Sequence, residues 1–188
     1  MLNLTLLDHL RLTFGHVVYR HGAHARLAST RARWSRGLRA AEALLMTGVG
    51  IAAFGAASGR GAVYAIAAAL LASVALIALL IHLTFDLDGA ARAHAQCATQ
   101  LWRIRERYHA LLSDLSDGAI DLDEARCRRD RLMNELYRVY DHAPPGDERA
   151  YQAASQATLT DGNSALADEE VDRFLPRSLH KPGTSAAA

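Results

Sequence analysis

Residues 38–85 hold nearly all of the chain's uninterrupted apolar sequence. Leu38–Ser58 reads LRAAEALLMTGVGIAAFGAAS, Gly59-Arg60-Gly61 interrupts it, and Ala62–Phe85 reads AVYAIAAALLASVALIALLIHLTF. As helices the two segments are roughly 31 Å and 36 Å long, against a bilayer hydrocarbon core of about 30 Å. The three-residue link permits only a tight antiparallel turn. Arg39, Glu42 and Arg60 are the only Arg, Lys, Asp or Glu residues in the stretch, and none falls at a membrane midplane. The pattern predicts a transmembrane helical hairpin with spans over 38–58 and 62–85 and a turn at 59–61.

The flanks have the period of amphipathic helices instead. Asp8 is an N-cap candidate for a helix reaching about Ser35, with Leu10, Phe14, Val17, Val18, Ala25, Leu27 and Ala28 on its apolar side. Arginines occupy much of the remainder. Such a helix has two placements open to it: in the anionic membrane interface, with Trp34 as a belt residue, or against the protein's own helices. Beyond the hairpin, Leu101, Ile104, Tyr108, Leu111 and Leu115 recur in steps of 3, 4, 3 and 4, a coiled-coil-like seam. Ser116-Asp117-Gly118 breaks this helix. A second starts near Asp121 or Asp123 and buries Leu122, Ala125, Leu132, Leu136, Val139 and Tyr140, until Pro144-Pro145 ends it. A short final helix is predicted over 146–159. From Thr160 the composition turns polar and small, predicting a mostly disordered tail with a turn or two around Asp168–Phe174.

The predicted fold is therefore an all-α membrane protein: a basic amphipathic helix over 1–37, the hairpin over 38–85, a cytoplasmic helical region over 86–159 and a tail over 160–188.

Composition narrows the function. Of 188 residues, 51% are hydrophobic and 22% charged, with a formal net charge of +1, and the charges lie almost wholly outside the hairpin. Too little chain remains for a catalytic domain of ordinary size. Met1–Leu7 is short, lacks a basic start and runs into polar residues, unlike a secretory leader, so the hairpin is expected to direct membrane insertion. Arg11, Arg20, Arg26, Arg31, Arg33, Arg36 and Arg39 precede or enter the first span, and Arg92, Arg103, Arg105 and Arg107 follow the second. The turn carries only Arg60. The positive-inside rule then puts both termini in the cytoplasm of an inner-membrane protein. Cys97 and Cys127 would be reduced there, and packed thiols are expected.

Several residue sets are candidates for function. Gly48, Ala52 and Ala56 form one small-xxx-small row and Ala65, Ala69 and Ser73 a second, suited to close packing within the hairpin or between subunits of a homo-oligomer. Thr47 and Ser73 are the only polar side chains deep in the spans, which argues against pumping chemistry. Glu42, His82, Asp86 and Asp88 gather at the cytoplasmic face. Around an oligomer axis they would form an acidic pore mouth, and otherwise they are interfacial charges paired with nearby arginines. Arg126, Arg128, Arg129 and Arg131 would suit a phosphate-bearing ligand, or form a solvated face balanced by Glu124, Asp130 and Glu135. His21 and His24 have a ligand-compatible step but no Cys, Asp or Glu partner, so no metal site is expected. There is no phosphate-binding glycine loop and no catalytic constellation. A non-enzyme without a cofactor follows, with the lipid bilayer as first partner and no nucleic acid, since topology already accounts for the juxtamembrane arginines.

The segment from Leu136 to Asp147, LYRVYDHAPPGD, with Tyr151 and Ala154 after it, resembles the ending of the SLATT family. These are small prokaryotic two-transmembrane effectors encoded beside nucleotide-second-messenger synthases or nucleotide-sensing proteins. The order of elements is similar too: a basic first helix with His21, Arg26 and Trp34, two spans, a long helix with Tyr108 and a helical return. The likeness covers residues 8–158 and implies a pore-forming or membrane-disrupting effector of abortive infection, activated by a nucleotide signal or a partner protein. It carries over no catalytic residue. A non-conducting membrane scaffold that recruits a cytoplasmic partner is the main rival, and a small transporter subunit the other.

Overall fold

The structure, a computed structural model, describes residues 5–59, 61–145 and 171–180. These residues form α1 (Leu6–Ala57), α2 (Ala62–Phe85), α3 (Leu87–Ser116), α4 (Leu122–Asp141) and a single 3-10 turn, Arg177–Leu179. They group into two compact units. One comprises residues 1–27 with 93–188, the other residues 28–92.

The first unit has a conventional core. Leu10, Phe14 and Val17 from α1 are fully buried together with Leu101, Tyr108 and Leu112 from α3 and Ala125 from α4. The coiled-coil seam is thus the core-facing stripe of α3, and the apolar side of the first helix packs on the protein's own helices. Burial of each such side chain contributes about 1.5–3 kcal/mol. Helix starts are set locally. Thr5 and Asp8 form a reciprocal cap, Asp8 N–H donating to Thr5 Oγ1 at 3.1 Å and Thr5 Oγ1–H to Asp8 Oδ2 at 2.7 Å. Asp8 is therefore the N3 residue of a capping box opened by Thr5 rather than the N-cap itself. Asp121 caps α4 by accepting the Glu124 N–H at 2.8 Å.

Within the tail, where a turn or two was expected around Asp168–Phe174, residues 171–180 pack on the core. Val171, Leu175 and Leu179 are buried in the core, and Arg11 and Asp172 form a buried ion pair. Three apolar residues spaced four apart give this short segment an apolar side, which its flanking polar composition concealed. The predicted helix over 146–159 lies outside the described residues, as do Tyr151 and Ala154.

The second unit is a pair of helices. A Cβ on Gly55 would stand 2.6 Å from Tyr64 Cδ1, and one on Gly48 3.3 Å from Leu71 Cδ1. Arg39 and Asp88 bond farther along. Partners that rise on one helix fall on the other, the order of an antiparallel pair. Gly59 and Gly61 hold φ of 76° and 99° at the link, values open to glycine and strained for other residues. Most of the apolar surface of this unit stays uncovered: Leu44, Phe54 and Val63 are each more than 70% exposed. Both α1 and the continuation from Ala62 contain a stretch long and apolar enough to cross a membrane, and little of either stretch is buried.

Candidate functional site

Within residues 28–92 five polar side chains, Ser35, Arg39, Glu42, His82 and Asp88, meet in one cluster. Arg39 Nη2 donates to both Asp88 carboxylate oxygens at 2.6 Å, and Ser35 Oγ–H donates to Asp88 Oδ1 at 2.6 Å. Ser35 is fully buried. His82 stands between two carboxylates, with Nδ1 3.7 Å from Glu42 Oε1 and Nε2 3.9 Å from Asp88 Oδ2. Both distances exceed a hydrogen bond. Glu42 Oε1 and His82 Nδ1 are nonetheless sealed from solvent and have no hydrogen-bond partner among the described residues. Burying such atoms unbonded costs free energy. The arrangement is therefore closed but not fully satisfied.

Helix geometry builds the cluster. Ser35, Arg39 and Glu42 follow one another at steps of four and three on α1. His82 ends the inner side of α2, whose preceding turns contribute Leu71, Ala75 and Ala78. Asp88 enters from the first turn of α3. The Ser35 hydrogen bond, and after it the Arg39 charge, hold the Asp88 carboxyl below its ordinary range.

Of the four residues expected at a pore mouth, the structure brings Glu42, His82 and Asp88 together and leaves Asp86 apart. Asp86 joins α2 to α3 in a left-handed conformation, φ 34°, and accepts the Gly89 N–H at 3.0 Å. A Cβ on Gly89 would lie 2.0 Å from Asp86 Oδ2, so glycine is what lets this carboxylate cap the helix. Ser35 and Arg39 were not in the expected set. Their signal was present in the i, i+4 step to each other and the i, i+3 step to Glu42.

The small-residue rows separate. Gly48 and Ala52 lie on the inner side of α1, with Ala56 half-buried beside them. Ala65, Ala69 and Ser73 are exposed and take no part in the pair, where α2 presents Leu71, Ala75 and Ala78 instead. Thr47 Oγ1 and Ser73 Oγ donate to the carbonyls of Ala43 and Ala69 at 2.8 and 2.9 Å, so neither leaves an unbonded hydroxyl on its apolar helix.

The other candidates belong to the first unit. Arg126 pairs with Asp123 at 2.9 Å, Arg128 with Glu124 at 2.8 Å and Asp114 at 2.9 Å, and Arg129 with Asp130 at 2.8 Å. Arg131 donates to Cys127 Sγ at 3.3 Å. Three of the four arginines are thus compensated by carboxylates. Among the histidines, His21 donates from Nδ1 to the Ala98 carbonyl at 3.0 Å, and His24 and His94 share an Nδ1···Nδ1 hydrogen bond of 2.9 Å in the interior. Burial, then the nearby Arg20 charge, pushes the His24 pKa down. Cys97 is buried, which pushes its thiol pKa up, whereas Cys127 is exposed and so not the packed thiol expected.

The family model for the SMODS and SLOG-associating 2TM effector domain, family 4, matches residues 6–170. The chain belongs to this SLATT family. No curated protein matches it, and no solved structure does. The match makes this SLATT protein a two-transmembrane effector domain, in keeping with its two long, uncovered apolar helices. The matched region takes in the polar cluster and both small-residue rows.

Proposed function

We propose that this SLATT protein is a pore-forming or membrane-disrupting effector of a bacterial anti-phage system that acts by abortive infection. In this reading the second part of α1, from Leu38, and α2 span the inner membrane as a hairpin, both termini are cytoplasmic, and the α3–α4 bundle receives the activating nucleotide signal or partner protein. The uncovered apolar surface of the helix pair carries the proposal. Exposed apolar area on this scale marks a membrane or protein partner. The open row of Ala65, Ala69 and Ser73 supports a homo-oligomer, because small residues allow close approach where lipid gives no hydrophobic drive. The closed cluster of Arg39, Glu42, His82 and Asp88 supports a resting state with its carboxylates turned inward. Activation would expose Glu42 and Asp88 to a shared axis.

The test is membrane integrity. Induction of the protein during phage infection should depolarise the cell, and purified protein in liposomes should release ions or dye when the activating signal is added. A retained membrane potential together with co-purification of a cytoplasmic partner would replace the pore with the scaffold reading. Directional solute uptake would point to the transporter instead.

A further inference from the structure

Three of the four arginines clustered on α4 are held by carboxylates, whereas two arginines that line one groove are not. A groove of about 980 Å³ runs between α3 and α4 within the first unit, with Trp102 and Arg103 on one side and Arg138 and His142 on the other. Arg103 and Arg138 are exposed, and neither has a carboxylate within ion-pair distance among the described residues. Arg138 bonds only to the Asn134 carbonyl of its own helix, at 3.4 Å. Most neighbouring arginines differ: Arg107 pairs with Glu135 across the groove, and Arg105 lies 3.8 Å from Glu106 and 4.5 Å above the Trp102 ring. Trp102 is 44% exposed and puts aromatic surface along the same wall.

We infer that this groove binds a phosphate-bearing ligand with an aromatic base, of the size of a dinucleotide. Two uncompensated guanidiniums facing one space match phosphate oxygens, which a planar fork can engage bidentately. The exposed part of the Trp102 indole, whose ring already has Arg105 4.5 Å and His21 5.3 Å from its centroid, supplies aromatic surface for a base that phosphate alone does not need. Glu106 and Glu135 line the groove as acceptors for the amino groups of a base edge. The groove, about 980 Å³ and open to solvent, leaves room for two linked nucleotides. Because the groove is built from α3 and α4, an occupant would bridge the two helices and brace one against the other. The inference rests on the proposed nucleotide activation and gives it a location.

Trp34 and Trp102 are the two tryptophans of the chain, so a Trp34→Phe full-length protein reports the groove through Trp102 fluorescence. In phosphatidylcholine nanodiscs, cyclic di-AMP, cyclic di-GMP and ATP serve as probes, with inorganic pyrophosphate as the base-free control. At least one cyclic dinucleotide should quench saturably and bind more tightly than ATP or pyrophosphate. Arg103→Ala with Arg138→Ala should weaken that binding by about tenfold or more, as expected for lost charge-assisted hydrogen bonds. Arg126→Ala with Arg129→Ala should leave it unchanged. No saturable signal from any probe, equal binding by the Arg103/Arg138 variant, or pyrophosphate binding as tightly as the dinucleotides would each overturn the inference. Displacement by phosphatidylglycerol would reassign the groove to a lipid headgroup. Circular dichroism verifies the variant's fold, and both side chains are exposed, so their removal empties no core. Binding without liposome leakage would break the pore reading alone. Leakage triggered by a dinucleotide with an unoccupied groove would break this inference alone.

Discussion

Phe14 and Phe54 lie on the same helix and have opposite surroundings: Phe14 is fully buried and Phe54 is 73% exposed. The contrast extends to the units that hold them. Residues 1–27 with 93–188 bury large apolar side chains and leave most charges outside. In residues 28–92 the buried positions are small or polar, among them Ala52, Ala75 and Ser35, and the large apolar side chains face outward. A core driven by water exclusion needs bulk inside. A helix pair in an apolar surrounding gains nothing by hiding leucine, and associates through close backbone contact and polar bonds. One chain thus carries two packing rules.

Truncating the two phenylalanines should separate the two packing rules most strongly. Phe14→Ala should cost about 3–5 kcal/mol in denaturant unfolding of the detergent-solubilised protein. Phe54→Ala should cost under about 0.5 kcal/mol, as for a side chain with few protein contacts. Equal losses would mean that the helix pair hides its apolar side chains as the core does. Asp172→Ala should destabilise the first unit by about 3–5 kcal/mol, because it strands the Arg11 charge in the interior. Replacing Arg11 and Asp172 together by Met and Leu should restore much of that loss.

Smaller effects test the helix pair. Gly55→Leu must displace Tyr64 and should cost about 1–3 kcal/mol by overpacking. Ala69→Leu should leave thermal stability unchanged while reducing oligomer formation, read by crosslinking or light scattering. A loss of stability on Ala69→Leu would show that the second row belongs to the pair after all.

The smallest expected effect is electrostatic. Asp88 has a folded pKa below its unfolded one, so its contribution is complete above the ordinary carboxylate range and disappears as pH falls through the folded value. Ser35→Ala should raise that pKa and move the acid loss of stability to higher pH, which carbon-detected titration of Asp88 can follow. His24 acts in the same direction at a higher pH. Its folded pKa lies below the unfolded value, so stability falls as pH drops through the unfolded histidine range, and His24→Phe should flatten that slope.

Much of this architecture is legible in one dimension. Span lengths, the link at Gly59-Arg60-Gly61, the seam from Leu101 to Leu115 and the break at Ser116-Asp117-Gly118 depend on residues near one another in sequence. Helix period, glycine conformation and apolar run length are local properties, so local sequence determines them. The candidate site was half legible: Glu42, His82 and Asp88 are conspicuous as polar residues at span ends.

Choosing among partners needed the third dimension. Arg39 bonds to Asp88, 49 positions away, while Asp86 turns back to Gly89. Arg11 reaches Asp172 across 161 positions, which drew a polar-looking tail into the core. The α4 arginines are conspicuous in sequence and largely compensated in space, whereas Arg103 and Arg138 stand 35 positions apart and line one groove. Sequence determined which segments are helical and which are apolar. Tertiary structure decided which charges far apart in sequence cancel, because an ion pair depends on distance in space and is indifferent to separation along the chain.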